Sequence, residues 1–369
     1  MAQTDVVHVD YQVLQDFMKD VFLACGVDEH DAQTAAEVLM ASDLRGIESH
    51  GISRLKPIYY NRLQDGIINP KTQFEVVREG PTTAVIDGHH SLGHVIGKQA
   101  MALAVNKAAT YGMGMTAVRN STHYGIAGYY AMMAAEAGMI GVTGTNARPS
   151  VAPTFSVQNM LGTNPLTFAM PSDEAFPFVL DCATSTAQRG KVEVYERLGR
   201  DVPEGWVVGQ DGQYRTDTSA ILQDFGRGLA ALTPLGGISE ETGSHKGYGY
   251  STVVEILSAA LQSGAFLWAL SGEENGKNVP HRLGHFFIAI SIEAFTELAD
   301  FKKTTGDILR SLRAAEKAPG HERIFTAGEK EYECEQARRQ GGIPLNASLQ
   351  ADIRTLRDEL ALTQYSFPF

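Results

Sequence analysis

The stretch Tyr111-Gly-Met-Gly-Met-Thr-Ala-Val118 decides the fold class of this chain. Its glycines begin like the G-x-G-x-x-G fingerprint of a dinucleotide-binding Rossmann unit, but residue 117 is alanine where the third glycine belongs. No other stretch carries that fingerprint, and none carries the phosphate loop G-x-x-x-x-G-K-[ST]. The two usual phosphate-cradling loops are therefore excluded, and a nucleotide enzyme with this sequence needs another phosphate site.

Short strand-like segments alternate with helical segments on both sides of residues 111–118. Their β-branched, apolar character predicts strands at 74–77, 83–86, 115–118, 140–145, 166–170, 178–181 and 286–292. Apolar residues at helical spacing predict helices at 94–111, 125–137, 186–197 and 247–263. This alternation predicts an α/β fold class, with a central α/β domain over residues 76–294; that this domain binds a dinucleotide is implied only by the resemblance described below.

Helices dominate towards the two ends of the chain. Helical spacing of apolar residues predicts helices at 11–25 and 55–63, and again at 308–315 and 347–362. We therefore expect an N-terminal helical segment over residues 1–75 and a C-terminal one over 295–369. Because each presents an apolar stripe, the two segments are expected to pack together.

Composition excludes several classes of protein. The formal net charge of −12 repels phosphate backbones, so nucleic acid is not an expected partner. No run of about 18 apolar residues is present to cross a bilayer, and residues 1–10 lack the features of a signal peptide. Three widely spaced cysteines, Cys25, Cys182 and Cys334, argue against a disulfide framework and favour the reducing cytosol.

The histidines of His89-His-Ser-Leu-Gly-His94 have a spacing that a metal site could use. Ser91 and Gly93 disfavour the helix that such a site would need, and no carboxylate or thiolate ligand lies nearby in sequence. The sequence therefore predicts no metal site.

Five polar segments lie beside predicted strands or helix starts. They are residues 120–125, 162–165, 181–191, 245–248 and 320–323. Hydroxyl groups and backbone N–H groups at such junctions can bind phosphate. Each segment alone is more often a turn or a helix cap than a ligand site.

Taken together and in order, these segments resemble the malate/L-lactate dehydrogenase family, which also contains ureidoglycolate dehydrogenase, sulfolactate dehydrogenase, diketogulonate reductase and the piperideine-carboxylate reductases. The matching stretches are DLRGIESHGISR (43–54), NSTHYG (120–125), GTNP (162–165), LDCATS (180–185), RGK (189–191), Trp206 before Asp211-Gly212, PLGG (234–237) and HKGY (245–248). Their common order from about residue 10 to residue 350 is more specific than any one motif.

The resemblance implies a nicotinamide-binding fold that is not a Rossmann fold. Members of the family build it on a mainly antiparallel sheet with surrounding helices, which accounts for the missing glycine fingerprint. They use NAD or NADP, and they form homodimers with the active site close to the subunit interface. A non-Rossmann α/β (α+β) fold and a homodimer are therefore expected here.

A 2-hydroxy acid needs a base for its hydroxyl proton and a cation for its carboxylate. His50 is the leading candidate for the acid/base, with Ser49 beside it to orient the ring or relay a proton. In the family, the histidine of this Ser-His-Gly motif is the proposed proton donor in keto-acid reduction. Arg54 is the candidate for carboxylate binding, although a surface salt bridge is equally compatible with the sequence. For a second carboxylate, Arg148 and Arg119 are candidates.

Two further catalytic candidates follow from the resemblance. Lys191 could stabilise a developing alkoxide; the family's imine reductases have an acidic residue here, so lysine disfavours imine reduction. His123 matches the proton acceptor of the ureidoglycolate branch but lies near the cofactor in other branches. His50 and His123 thus compete for the acid/base role, and His123 is also a cofactor candidate.

The remaining cofactor candidates carried over from the family lie on loops of the central and C-terminal segments. They are Thr163, Asn164, Asp181, Cys182, Ala183, His245, Lys246, Gly320, His321 and Glu322. The residues alone leave the choice between NAD and NADP open.

The leading interpretation is an NAD(P)-dependent dehydrogenase that interconverts a 2-hydroxy acid and a 2-keto acid, either malate and oxaloacetate or lactate and pyruvate. A ureidoglycolate or other 2-hydroxy-acid dehydrogenase is the alternative within the family. A catalytically inactive dinucleotide-binding protein is the alternative from another class.

Overall fold

The computed structural model describes residues 6–369, so residues 1–5 of the expected N-terminal segment lie outside the described part of the chain. The helices are α1 Tyr11–Ala24, α2 Glu29–Leu44, α3 Asn61–Gln64, α4 Gly93–Tyr111, α5 Ala127–Glu136, α6 Arg189–Arg197, α7 Thr218–Arg227, α8 Ser244–Ala259, α9 Leu298–Arg313, α10 Glu329–Gly341 and α11 Ala347–Glu359. The strands are β1 Val7–Val9, β2 Glu75–Glu79, β3 Thr83–Asp87, β4 Met113–Ser121, β5 Met139–Thr145, β6 Leu166–Met170, β7 Phe178–Cys182, β8 Val207–Gly209, β9 Tyr214–Arg215, β10 Ala230–Leu232, β11 Glu273–Glu274, β12 Lys277–Asn278, β13 Leu283–Ser291 and β14 Ile343–Leu345.

A seven-stranded sheet in the order β2-β3-β4-β13-β5-β6-β7 forms the centre of the molecule. Every neighbouring pair runs antiparallel except β3 and β4, which are parallel. A Rossmann unit is instead a mostly parallel, doubly wound sheet. The expectation of a mainly antiparallel α/β architecture is therefore confirmed.

Helices cover both faces of this sheet at very short distances. A Cβ atom on Gly114 of β4 would lie 2.0 Å from the Ala104 carbonyl oxygen of α4. On the central strand β13, a Cβ atom on Gly284 would lie 1.7 Å from the Ser258 carbonyl oxygen of α8. Only glycine permits such approaches of helix backbone to strand backbone, so these two residues set the spacing between the layers.

A helical layer joins the two ends of the chain. Strand β1 pairs antiparallel with β14, with Val7 opposite Leu345 and Val9 opposite Ile343. Side chains from α1 and α2 form one hydrophobic core with α11 and with Phe367, whose ring stands edge-on to Phe17 at 5.3 Å. The two terminal segments therefore share a core, while the division of the chain at residues 75 and 294 stays a prediction.

The segment predicted as one helix over 55–63 is irregular. A 3-10 turn at Ile52–Arg54 is followed by a π-helical segment at Leu55–Tyr60 and then by α3. Pro57 lies inside this segment, has no backbone N–H and crowds the carbonyl one turn earlier, which disrupts a regular α-helix.

The periodicity of apolar residues did not predict α7, α10, the small sheet β10-β8-β9 or the pairing of β1 with β14.

Candidate active site

The loop between α2 and the 3-10 turn at residues 52–54 presents Ser49 and His50. Ser49 Oγ lies 2.8 Å from His50 Nδ1, so the hydroxyl group and the imidazole ring are hydrogen-bonded. Arg54 Nε donates a hydrogen bond to the Ser49 carbonyl oxygen, which holds the guanidinium group back against the loop. The structure thus brings together the three residues that the motif at positions 49–54 singled out.

His123 faces this loop from the end of β4. Its ring lies 5.5 Å from the His50 ring, centroid to centroid, with the two planes 25° apart. Tyr59 Oη lies 2.5 Å from His123 Nδ1, and the backbone N–H of Gly125 donates to the same nitrogen at 3.3 Å. Because a backbone N–H can only donate, Nδ1 is the acceptor and Nε2 carries the proton of the neutral ring. His123 therefore offers an N–H donor at its free nitrogen.

Both histidines are held in the neutral form by their surroundings. Burial and, to a smaller extent, the positive charge of Arg54 together lower the pKa of His50 to about 4. Burial also lowers the pKa of His123 well below its usual value, with smaller effects from His50 and His94. A carboxylate bound beside Arg54 would offset that positive charge and raise the pKa of His50 towards the range useful for proton transfer.

Positive charge gathers around the two rings. Burial is the main cause of the lowered pKa values of Arg62 and Arg148. The positive charge of Arg148 also lowers the pKa of Arg62. The positive charges of Arg189 and Arg54 also lower the pKa of Arg148. Within residues 6–369, no ion pair with a carboxylate involves Arg54, Arg62 or Arg148. This arginine cluster (Arg54, Arg62 and Arg148) is therefore suited to binding a small anion.

The second candidate for an additional carboxylate, Arg119, is already occupied. Its Nε atom lies 2.9 Å from Asp87 Oδ2, and Asn120 donates to the same carboxylate. Of the two arginines proposed from sequence, Arg148 is the one that lies in the cluster. Sequence reasoning missed Arg62, because the irregular helical segment before it hides the direction of its side chain.

Helix α6 begins directly against the loop that carries His50. A Cβ atom on Gly190 would lie 2.9 Å from Arg54 Nη2 and 3.5 Å from Ser49 Cβ. Lys191, the next residue, is exposed and holds its ammonium group 4.8 Å from the centre of the Trp206 ring. The lysine thus stands at the edge of the site on an aromatic face, and its role in catalysis stays a prediction.

Asp181, from the set of cofactor candidates, lines a cleft of about 260 Å³ between β7, the start of α5 and residues 325–331. Its Oδ2 atom accepts from the Gly128 backbone N–H at 2.7 Å, and its Oδ1 atom accepts from Thr167 at 3.0 Å. Burial raises the pKa of this carboxyl group. Cys182 ends β7 and Ala183 follows it, both half-buried.

The donor set of the cleft tests whether a nicotinamide dinucleotide fits. It combines two carboxylates, Asp181 and Glu331, which can accept from hydroxyl groups, with the cations Lys330 and Arg45. Arg45 also lies 3.5 Å from the carboxylate of Glu335. Such a set suits ribose and phosphate respectively. The volume lies below the roughly 300–1,000 Å³ of typical ligand pockets. The cleft therefore fits one part of a dinucleotide.

Gly320, His321 and Glu322 lie on the exposed loop between α9 and α10. The same loop continues into Phe325, which lines the cleft beside Asp181. The three candidates therefore lie within a few residues of the cleft along the chain. Sequence reasoning missed Thr326, which lines the same wall of the cleft.

The remaining cofactor candidates lie around the start of α8. His245 and Lys246 are exposed in its first turn, where a Cβ atom on Gly247 would lie 2.3 Å from the Leu235 carbonyl oxygen. Leu235 in turn donates its backbone N–H to the Thr184 carbonyl oxygen at 3.0 Å, next to Ala183. The start of α8 is thus linked to the end of β7.

Asn164 is buried and is committed to α8. Its Nδ2 atom donates to the Ser251 carbonyl oxygen at 3.1 Å and to Glu255 Oε2 at 2.8 Å. The Thr163 carbonyl oxygen accepts from the Thr184 backbone N–H at 3.0 Å. These contacts brace the loop, and direct contact with a cofactor stays a prediction for both residues.

The histidines at 89–94 point in different directions. His89 Nε2 lies 2.7 Å from Glu75 Oε2, while the His94 ring is fully buried 4.5 Å from the Tyr59 ring. No three His, Cys, Asp or Glu side chains are grouped to hold a metal in the described part of the chain. Among residues 6–369, no helix is both long enough and apolar enough to cross a membrane.

Two neutral imidazoles, one of them bonded to a serine hydroxyl, stand beside three arginines without carboxylate partners. Together with the mainly antiparallel sheet and the polar cleft, this arrangement defines an enzyme that moves protons on a small organic anion. A family model described as malate/L-lactate dehydrogenase matches residues 9–354. The chain belongs to this family of 2-hydroxy-acid dehydrogenases, as the motifs predicted.

Similar proteins cover almost the whole chain. A crystal structure of malate dehydrogenase from Entamoeba histolytica is 46% identical, with a TM-score of 0.95 over 99% of this chain and 100% of that chain. A malate dehydrogenase from Pyrococcus horikoshii is 44% identical over 333 residues, which are 90% of this chain and 89% of the relative. An L-sulfolactate dehydrogenase from Methanocaldococcus jannaschii is 37% identical over 351 residues, 93% of this chain and 94% of the relative. The family implies a nicotinamide cofactor.

Proposed function

We propose that this enzyme interconverts malate and oxaloacetate with a nicotinamide dinucleotide. The observation that carries the proposal is the arginine cluster, which offers more positive charge than one carboxylate needs. Malate and oxaloacetate each carry two carboxylates, whereas lactate and pyruvate carry one. Relatives named malate dehydrogenase support the same substrate.

In the proposed reaction, Arg54 binds the carboxylate next to the reacting carbon, and Arg148 and Arg62 bind the distant one. A nicotinamide, when bound, would supply or accept the hydride at C2. In keto-acid reduction, the protonated form of His50 gives its proton to the C2 oxygen and becomes neutral; in oxidation the neutral ring takes that proton back. Ser49 orients the His50 ring through the 2.8 Å hydrogen bond to Nδ1, which leaves Nε2 for the substrate.

His123 takes a different part in this scheme. Its Nδ1 atom already accepts from Tyr59 and Gly125, and its Nε2 atom carries a proton. A neutral ring in that state donates a hydrogen bond to the C2 oxygen and does not abstract a proton. We therefore assign the acid/base role to His50 and oxyanion stabilisation to His123. Lys191, at the edge of the site, is proposed as a further donor to that oxygen.

The proposed cofactor is NAD or NADP, held between two groups of residues. Asp181, Cys182 and Ala183, with the loop carrying Gly320, His321 and Glu322, would bind one end in the 260 Å³ cleft. His245 and Lys246 would supply a cation at the start of α8, with Thr163 and Asn164 behind them. Saturation of protein fluorescence by NADH or NADPH, and its loss in Asp181→Ala, tests this assignment.

A second substrate, sulfolactate, has specific support. Its sulfonate is an anion that the arginine cluster would bind in place of the distant carboxylate, and a relative 37% identical is named L-sulfolactate dehydrogenase. The deciding experiment measures kcat/KM with NADH and with NADPH for oxaloacetate, sulfopyruvate, pyruvate and oxalurate. We expect oxaloacetate to be preferred over pyruvate by at least about 10-fold, the value of one ion-paired hydrogen bond. Equal rates with pyruvate would refute a site for two anionic groups.

Absence of turnover with all four acids, despite saturable dinucleotide binding, would favour the inactive binding protein. Binding of neither dinucleotide would overturn the cofactor assignment itself.

We further propose that the enzyme is a homodimer built on the exposed face of α8. An apolar groove of about 580 Å³ runs between α8 and residues 153–161 and 263–267. Ile256 and Phe266 at this groove are 54% and 59% exposed, and Trp268 beside it is 51% exposed. Contiguous apolar surface of this kind marks an interaction site. The homodimers of the family support a second copy of the chain as its occupant.

Sedimentation of Ile256→Asp tests the dimer. We expect the wild type to sediment as a dimer and the variant as a monomer, because a buried unpaired carboxylate disfavours the interface. Ile308→Asp is the matched control, since Ile308 on α9 is equally exposed at 54% and lies outside the groove. A monomeric wild type would refute the proposal.

The three free thiols, Cys25, Cys182 and Cys334, support the cytosol as the compartment.

A further inference from the structure

The carboxyl group of Asp43 lies directly beneath the loop that carries His50. Asp43 is 1% exposed and belongs to the last turn of α2. Its Oδ2 atom accepts a hydrogen bond from the Ile52 backbone N–H at 2.7 Å. Ile52 begins the 3-10 turn that ends at Arg54, so this one carboxyl group caps the segment between the imidazole and the guanidinium group.

The packing of Asp43 against Gly51 is equally close. A Cβ atom on Gly51 would lie 2.0 Å from Asp43 Oδ1 and 2.2 Å from its Cγ. Such contact leaves no room for any side chain at residue 51, and it fixes the height of the loop above α2. Gly51 is thereby held between His50 on one side and Ile52 on the other.

The surroundings of Asp43 hold it in turn. Arg338 of α10 donates to the Asp43 carbonyl oxygen and pairs with Glu48, at the start of the loop. Ser42 donates its hydroxyl group to the Ile47 carbonyl oxygen at 2.7 Å. The last turn of α2 is therefore hydrogen-bonded to both ends of the loop: Ser42 bonds to Ile47, and Asp43 bonds to Ile52.

We propose that Asp43 is a positioning residue for the reaction: its buried carboxyl group holds the Gly51–Ile52 backbone, and so sets the distance between His50 and Arg54. The inference rests on the proposed function, in which His50 exchanges the proton and Arg54 binds the adjacent carboxylate. Asp43 itself touches neither substrate nor cofactor. A displacement of about 1 Å in a catalytic group can cost about 100-fold in rate, so a rigid support has a measurable effect.

The chemistry of the support predicts which replacement preserves it. Burial raises the pKa of Asp43 to about 7, and the hydrogen bond from the Ile52 N–H and the charge of Arg338 oppose that shift only in part. A neutral carboxyl group still has a carbonyl oxygen that accepts from the Ile52 N–H. An asparagine amide has the same shape and the same acceptor, whereas alanine has neither.

The test compares Asp43→Ala and Asp43→Asn with the wild type in the full-length protein. We expect Asp43→Ala to lower kcat about 10- to 100-fold. The rate is measured at saturating NADH, because Arg45 and Ile47 of the adjoining segment line the proposed cofactor cleft. Asp43→Asn should recover kcat to within about threefold of the wild type, since it retains the acceptor. Equal losses in both variants, or wild-type kcat in Asp43→Ala, would overturn the inference.

Asp20→Ala is the matched control for loss of a hydrogen-bonded carboxylate in the same helical layer. Asp20 Oδ2 accepts from Tyr365 Oη at 2.8 Å and from Gln364 at 2.9 Å, away from the loop. We expect a lower Tm and an unchanged kcat. A loss of kcat equal to that of Asp43→Ala would mean that general destabilisation, not loop position, explains both variants.

A readout without substrate separates this inference from the proposed function. Hydrogen exchange of the Ile52 amide should accelerate in Asp43→Ala and stay slow in Asp43→Asn, whichever acid the enzyme uses. Because Asp43→Ala also leaves a buried cavity, Gly51→Ala approaches the same contact from the other side and should accelerate the same amide. Unchanged exchange in both variants would refute the role of Asp43, while failure of the wild type to reduce oxaloacetate would refute only the proposed substrate.

Discussion

Replacement of Arg148 by glutamine tests the assignment of the distant carboxylate. Arg148 lies in the arginine cluster and makes no ion pair within 4.0 Å among residues 6–369, although the more distant charge of Glu193 acts on it. A hydrogen bond to a charged group contributes about 1.5–3 kcal/mol, and about 1.4 kcal/mol corresponds to a factor of ten. Arg148 is crowded by neighbouring groups but keeps more than a third of its surface in contact with water. Solvent therefore screens the interaction in part, and we expect the lower end of this range. Arg148→Gln should therefore lower kcat/KM for oxaloacetate about 10-fold.

The half-buried Arg62 should have the larger effect, closer to 100-fold for Arg62→Gln. The assay follows NADH or NADPH consumption with oxaloacetate and, in parallel, with pyruvate, which lacks the distant carboxylate. Only oxaloacetate should lose rate. Arg119→Gln is the control, because Arg119 is paired with Asp87 outside the cluster. A loss of the same factor with both acids would refute the assignment of Arg148.

Four further predictions concern His50, Arg54, Tyr59 and the buried ring of His94. His50→Ala should lower kcat about 100-fold or more in steady-state assays, and a near-normal kcat would transfer the acid/base role to His123. Arg54→Ala should mainly raise KM for the acid, and unchanged kinetics would remove Arg54 from the site. Tyr59→Phe should lower kcat by up to about 10-fold, since it removes one neutral hydrogen bond of about 0.5–1.5 kcal/mol to His123; an unaltered kcat would contradict the support that we assign to Tyr59. Burial lowers the pKa of His94 to about 3. Below about pH 6.5, His94 is therefore protonated in the unfolded chain but still neutral in the folded chain. The free energy of unfolding falls as pH falls, because protonation stabilises the unfolded state. The free energy of unfolding should therefore decline by about 2 kcal/mol for this group between pH 7 and pH 5, and His94→Gln should flatten that decline in urea titrations.

Sequence periodicity predicted the regular elements well. The apolar stripe of Leu14, Phe17 and Val21 predicted α1, and all three side chains are buried. The short apolar segment Leu166–Met170 has the bounds predicted for it. These elements follow from local patterns, which a single sequence displays directly.

Elements that depend on distant partners escaped prediction. Strands β1 and β14 have three residues each and pair across almost the full length of the chain, so neither has a readable period of its own. Helix α10 is mostly polar, and only Glu329 on it is buried, so it presents no apolar stripe to read.

In the candidate site, too, local contacts were predicted from the sequence and contacts between distant residues were not. The spacing of Ser49, His50 and Arg54 predicted contacts within one loop, and the structure has those contacts. Tyr59 and Asp43 were missed because they act through tertiary hydrogen bonds, which leave no mark in local sequence. Only the folded chain displays which donor or acceptor each one meets.

The pairing of β1 with β14 has a consequence for synthesis of the enzyme. The layer that supports His50 needs residues 343–345 for its small sheet, and Phe367 for its core. A ribosome adding about 5–20 residues per second makes the intervening stretch in roughly 15–60 s. Throughout that interval, α1 and α2 expose apolar side chains that their late partners will cover. The nascent chain is thus most exposed to chaperones and proteases at the end that was made first.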